Sequence, residues 1–322
     1  MGAGVAAGVR TRSPTASTIA PGLANTPGLH QEDRNDGKPK RIRSNVRVEI
    51  AGRDYEVVRD WAPTPQGTAK GRISTLAVDS SGRLYVLRRG VDPPVLIHSP
   101  EGGLLGSFGH GEVFDAHGIA IDARDRVFVV DRDAHEVICF STRGEVLFRL
   151  GARHRPHWAK PFNHPTDVAV APDGEIYVSD GYGNGRVHVF DPSGALRLSF
   201  GAVGHAAGEF MTPHALLIDR RNRVVVADRE NNRVQRFDRD GRFLDEMRGL
   251  CRPMDVFERD DGMLLVTDLV PSVNAFASDG ARVGRGRPSL QGAHGITGDS
   301  SGTLYLAEIE PNSISCLRPM AA

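Results

Sequence analysis

Cysteine is scarce in this chain: Cys139, Cys251 and Cys316 are the three in 322 residues. So few, and an odd number, speak against the disulfide framework of a small secreted domain. Cys139 and Cys316 also fall in equivalent strands of two distant repeats, so small buried apolar residues in a reducing, cytoplasmic compartment are expected. Excess charge is missing as well. Forty Lys and Arg balance forty Asp and Glu, which removes the electrostatic case for nucleic acid or an anionic membrane surface as a partner. No apolar run approaches the roughly 18 residues that span a bilayer, and the best strands stop after about five. A monomer without nucleic-acid or membrane partners is the expectation.

The N-terminal stretch, residues 1–45, lacks any regular pattern. It is rich in Gly, Ala, Ser, Thr and Pro to Leu29, then charged from Gln31 to Arg43; a disordered tail is expected. Met1 to Ala24 has neither a basic start nor a continuous apolar run of signal-peptide quality, although scattered arginines without acids leave a targeting presequence as the alternative.

What the chain does contain is a repeat. An apolar alternation, a turn with Asp or Gly, a second apolar strand, usually an acidic residue, then a third strand recur in Ala116 to Phe140, Pro165 to Phe190 and Pro213 to Phe237. Aligning six such copies places Ser74, His117, Thr166, His214, Met254 and His294 in one column, at spacings of 43, 49, 48, 40 and 40 residues. That period suits a four-stranded propeller blade. Ser81-Gly82, Asp173-Gly174, Asp261-Gly262 and Ser301-Gly302 supply tight turns between first and second strands, and Ser193-Gly194, Asp240-Gly241 and Asp279-Gly280 between third and fourth. The last copy, Gly292 to Arg318, has room for three strands. Val46, Val48 and Ile50, a turn at Ala51 to Asp54, and Tyr55, Val57 and Val58 read as two further strands, one of which completes it. The fold class is therefore all-β: a six-bladed β-propeller over 46–320, its last blade closed by an N-terminal strand.

In a closed ring alternate blades are a third of a turn apart, so His117, His214 and His294 converge on the axis like metal ligands. Loops between second and third strands lie at the same mouth and bring Arg89, Arg132, Tyr182 and Arg229 there. Three imidazoles around an open position suit a catalytic Zn2+, with another divalent transition metal as the alternative. Tyr182, in Asp180-Gly181-Tyr182-Gly183-Asn184, is the candidate general base. Arg89 suits a carboxylate or a developing oxyanion, and Arg229 either assists or belongs to a loop network from Asp228 to Arg233. Asp131, Asp180, Asp228 and Asp268 read as acceptors for loop amides.

These residues carry a resemblance. Pro165-Thr166-Asp167-Val168-Ala169-Val170, Val178-Ser179-Asp180-Gly181-Tyr182 with Asn184 and Arg186, Pro213-His214 and Ala227-Asp228-Arg229-Glu230-Asn231, together with His117-Gly118 and His294, resemble the NHL-repeat peptidyl-α-hydroxyglycine α-amidating lyases over about residues 71 to 318. The resemblance implies zinc on His117, His214 and His294, Tyr182 as base, and Arg89, with Arg229 contributing, assisting it or the substrate. The implied reaction is elimination from a carbinolamide: the hydroxyl of an N-acyl α-hydroxyglycine loses its proton, the C–N bond breaks, and an amide and glyoxylate leave. The substrate is then a small or peptide-derived α-hydroxy compound. Where that family has an aspartate contributing to a calcium site this chain has Gly295, so Ca2+ is not expected. Its loop cysteine is Gly183 here, and its cysteine pair is Val225 and Arg236, which disfavours an extracellular peptide-hormone role. Two other classes remain: a non-catalytic NHL-repeat binding propeller, and a calcium-dependent lactonase, against which the column of Ser74, Thr166 and Met254 with three histidines argues.

Overall fold

The computed structural model describes residues 46–321 apart from 63, 65–68 and 290, all within one compact unit, Arg43–Ala322. The expected tail, 1–45, lies outside the described residues. Twenty-five strands form six antiparallel sheets, and the only helical segment among the described residues is a 3₁₀ turn, Arg229–Asn231. Among the described residues no helix is long and apolar enough to cross a membrane.

Each sheet is a blade. The innermost strands are Arg72–Val78, Ala116–Ile121, Asp167–Val170, Pro213–Ile218, Asp255–Glu258 and Ala293–Gly298, and each contacts the next around the ring, the last returning to the first. Second and third strands are buried on both faces, as in Val127–Asp131 and Glu136–Phe140, while fourth strands such as Leu104–Phe108 are largely open to solvent. Continuous Val, Ile and Phe in the middle strands and broken patterns outside follow from that placement. Successive side chains point to opposite faces, so one strand feeds two cores: Leu84 and Val86 pack toward blade six, Tyr85 and Leu87 toward blade two. Six apolar clusters result, one at each junction between blades.

Ring closure uses both N-terminal strands. Arg53–Val58 pairs with Ser313–Pro319, setting Val57 opposite Leu317, and supplies the missing fourth strand. Val46–Ile50 then adds a fifth, outermost strand, so the last blade carries one more than the closing strand that the repeat required. The junction on the other side is sealed by Trp61, whose ring centroid lies 5.0 Å from that of Tyr305. Cys139 and Cys316 are buried free thiols as expected; Cys251 is exposed, because it stands in the loop entering blade five rather than in a strand.

Leu317 is fully buried in the core that joins the N-terminal strands to blades five and six. Leu317→Ala should cost about 2–5 kcal/mol, read as a lower urea midpoint at unchanged slope. A loss below about 1 kcal/mol would show that this closure adds little to the ring.

Candidate metal centre and channel mouth

The column residues sit where the innermost strands enter the ring, and their backbone positions alternate in role. His117 Nδ1 lies 2.7 Å from the carbonyl oxygen of Thr166, His214 Nδ1 2.7 Å from that of Met254, and His294 Nδ1 2.8 Å from that of Ser74. A carbonyl can only accept, so each imidazole carries its proton on Nδ1 and keeps a lone pair on Nε2. The non-histidine members of the column thus fix the tautomer and the ring plane of the histidines. One ring nitrogen from each histidine lies within 4.8 Å of the others. Ring centroids are 4.9–5.4 Å apart.

All three side chains are buried. Burial first, and then the neighbouring imidazoles and the Arg89 charge, hold His117 well below its usual range. Burial and His294, followed by Arg229, do the same for His214, and burial brings His294 down to about 4. Three neutral imidazoles at neutral pH are the form that binds a metal. His214 Nε2 is buried with no hydrogen-bond partner, so its lone pair is free to receive a ligand. The donor set and this orphaned atom fit a divalent transition metal.

Tyr182 reaches the same point from blade three. Its phenolic oxygen lies 3.0 Å from His117 Nε2, and Arg229 Nη1 donates to it at 3.2 Å. The Arg132 and Arg229 guanidinium carbons sit 5.6 and 5.3 Å from its ring centroid. Glycines flank Tyr182 because the loop is jammed against its neighbours. A Cβ on Gly181 would lie 2.2 Å from the Pro213 carbonyl oxygen, and one on Gly183 2.4 Å from Asn163. Arg89 is held by Asp115, with Nη2 to Oδ2 at 2.9 Å, and Arg132 shares that carboxylate at 2.8 Å. The structure therefore brings together His117, His214, His294, Tyr182, Arg132 and Arg229, and Arg89 joins them through the Asp115 carboxylate that it shares with Arg132.

Asp115 was not legible as part of the site, although it lies two residues before His117; nor were the carbonyl oxygens, since backbone atoms leave no residue signature. The four repeated aspartates do accept loop amides: Asp131 from Phe114 and Asp115, Asp180 from Asn163, Asp228 from Met211 and Thr212, Asp268 from Cys251. In blade one Arg88 inverts this polarity, donating to the carbonyls of Ala69 and Pro93 at 2.7 Å each. The guanidinium of the Asp228 network is Arg233, at 3.0 Å, which leaves Arg229 to Tyr182 and Glu230.

One step deeper, Asp167 and Asp255 follow Thr166 and Met254. Their carboxylates accept the amides of Leu216 at 3.1 Å and Ile296 at 2.8 Å, two residues beyond His214 and His294. Burial pushes the Asp255 carboxyl up to about 7 against two backbone amides, and burial together with the Asp255 charge raises Asp167 well above the carboxylate range. An unfolded aspartate titrates near pH 4, so the native state holds the extra proton up to about pH 7 and loses stability as pH rises through that window. In metal-free protein, the melting temperature of Asp255→Asn relative to the parent should rise between about pH 5 and about pH 8. A difference independent of pH would show that Asp255 is ionised throughout.

Comparison with known proteins adds four findings. The NHL repeat model matches residues 162–190 and 210–237. A probable peptidyl-alpha-hydroxyglycine alpha-amidating lyase of Caenorhabditis elegans is 30% identical over 294 residues, covering 77% of this chain and 83% of that protein. The peptidyl-glycine alpha-amidating monooxygenase of Mus musculus is 28% identical over 76% of this chain, which spans 30% of its length. Among solved structures, a virginiamycin B lyase from Staphylococcus aureus superposes with a TM-score of 0.61 at 12% identity over 82% of this chain and 88% of that one, a likeness of fold alone.

Proposed function

The chain belongs to the peptidyl-α-hydroxyglycine α-amidating lyase family, and from that premise we propose that it is a zinc-dependent carbon–nitrogen lyase that splits an N-acyl α-hydroxyglycine into a primary amide and glyoxylate. The observation that carries this reading is the convergence of three tautomer-fixed imidazoles with a phenol 3.0 Å from one of them. His117, His214 and His294 would hold the metal; when bound, it supplies Lewis acidity at the carbinol hydroxyl.

The remaining work falls to the chain's own groups. Tyr182 removes the hydroxyl proton, the oxygen's electrons form the aldehyde, the C–N bond breaks, and the proton is returned to the departing nitrogen, so that atoms and charge balance. Arg229 donates to the phenolic oxygen and fixes its position. Arg89, held by Asp115, faces the substrate carboxylate, which becomes the carboxylate of glyoxylate.

Tyr182→Phe should keep the parent's metal content while kcat for glyoxylate release falls about 10²–10⁴-fold. Full activity in that variant would remove Tyr182 from the mechanism. If metal-loaded parent releases no glyoxylate from any N-acyl α-hydroxyglycine, the reaction is wrong.

A further inference from the structure

Two residues before its member of the axial column, each blade places one residue at the entry to the ring: Arg72, Asp115, His164, Thr212, Arg252 and Gly292. Asp115 is the one acid among them. Its backbone is secured without its side chain, since the Asp115 amide donates to Asp131 Oδ1 at 2.9 Å and its carbonyl accepts the Arg132 amide at 2.9 Å. Every partner of its carboxylate among the described residues is a guanidinium: Arg89 at 3.2 Å to Oδ1 and 2.9 Å to Oδ2, and Arg132 at 2.8 Å to Oδ2. A carboxylate so used does not hold its loop together. It holds side by side two cations that would otherwise repel.

The two arginines are thereby set to different tasks. Arg89 spends the Nε and Nη2 edge of its guanidinium on Asp115, and its Nη1 has no hydrogen-bond partner among the described residues. The other edge, Nη1 with the second Nη2 proton, is open to a further carboxylate. After burial, the Arg89 charge is among the causes that lower all three histidines, which sets this open edge beside the imidazoles. Arg132 gives Nε and Nη2 to Asp133 at 2.7 and 3.3 Å. Its guanidinium carbon lies 5.6 Å from the centroid of the Tyr182 ring, whose phenolic oxygen is engaged by His117 and Arg229 instead. Arg132 thus touches the ring and leaves the reacting atoms to others.

Resting on the function proposed above, we infer that Asp115 is a positioning residue that makes the site selective for carbinolamides bearing an α-carboxylate, by aiming the open edge of Arg89, and that through Arg132 the same carboxylate steadies the ring of the general base. With Asp115 neutral, Arg89 and Arg132 lose their shared counter-charge and the open edge loses its direction, while the three histidines keep their own carbonyl partners.

The test uses the full, metal-loaded chain and two matched pairs: N-acetylglycine against N-methylacetamide in binding, and N-acetyl-α-hydroxyglycine against N-(hydroxymethyl)acetamide in turnover. The second member of each pair lacks the carboxylate. N-(hydroxymethyl)acetamide gives up its hydroxyl proton, breaks its C–N bond, returns the proton to nitrogen and yields acetamide and formaldehyde, so both carbinolamides ask the same of Tyr182 and one alone engages Arg89. Arg89→Met should cut the parent's preference for the carboxylate at least about tenfold, in Kd and in kcat/KM. Asp115→Asn, with the parent's metal content, should cut it at least about threefold, and Arg89→Met/Asp115→Asn no further than Arg89→Met alone. Arg132→Met should lower kcat on both carbinolamides by a common factor of about ten and leave the binding preference within about twofold of the parent's. Loss of metal from Asp115→Asn, an equal loss on both members of each pair, or additive losses in the double variant overturns the inference. Carboxylate-selective binding that depends on Asp115, with no glyoxylate released by the parent, supports the positioning and contradicts the reaction; glyoxylate release with a preference indifferent to Asp115 overturns the positioning and leaves the reaction standing.

Discussion

An unbroken circuit of hydrogen bonds around the axis is the constraint on which the site depends. Ser74 Oγ donates to the His117 carbonyl, His117 to Thr166, the Leu216 amide to Asp167, His214 to Met254, the Ile296 amide to Asp255, and His294 to Ser74, at 2.7–3.1 Å. Every link crosses from one blade to the next, and the last returns to the first. The circuit ties adjacent blades at the axis, where the inner strands have no side-by-side pairing with one another. It also uses each Nδ1 proton, so three Nε2 lone pairs are left facing inward. Closure of the ring and formation of the metal site are thus one event: a propeller opened between blades six and one would lose the His294 acceptor.

The circuit also explains why even blades carry histidine and odd blades do not. An odd blade must present a carbonyl and, one residue on, a side chain that secures the next even blade: Asp167 and Asp255 do this with carboxylates. Small residues, Gly118, Ala215 and Gly295, occupy the same position after the histidines, where a Cβ on Gly118 would fall 2.7 Å from Asp167 Oδ1 and one on Gly295 2.7 Å from Thr75 Oγ1. Polar groups are thereby satisfied in the layer under the histidines without crowding it. Over the histidines, the odd-blade loops lean on the strand entries of the next blade and deliver a guanidinium, a phenol and a leucine in turn.

Much of this was legible in the sequence, for reasons that differ by level. The period and the Asp-Gly and Ser-Gly turns give blades and their number because hairpin chemistry is local. The histidine column gives the axis because a ring turns sequence spacing into angle. Val225 and Arg236, the positions at which the resemblance implied a cysteine pair, face each other in register on adjacent strands, and Arg236 is committed to Asp245 and the Ser278 carbonyl. What stayed hidden were interactions made by backbone carbonyls, the fifth strand Val46–Ile50, the carboxylate of Asp115 that holds two guanidiniums at once, and the buried carboxylates of Asp167 and Asp255 beneath the histidines. None of these has a residue-type signature; each depends on which loops a closed ring brings side by side.

The central claim, that the axial circuit presents three imidazole nitrogens to one metal ion, is tested most directly by the metal content of purified, tag-free protein measured by plasma mass spectrometry, with His117→Ala beside the parent. The account predicts about one zinc per chain in the parent and its loss in the folded variant. No bound divalent metal in the parent after zinc is supplied, or equal metal in both proteins, would contradict it.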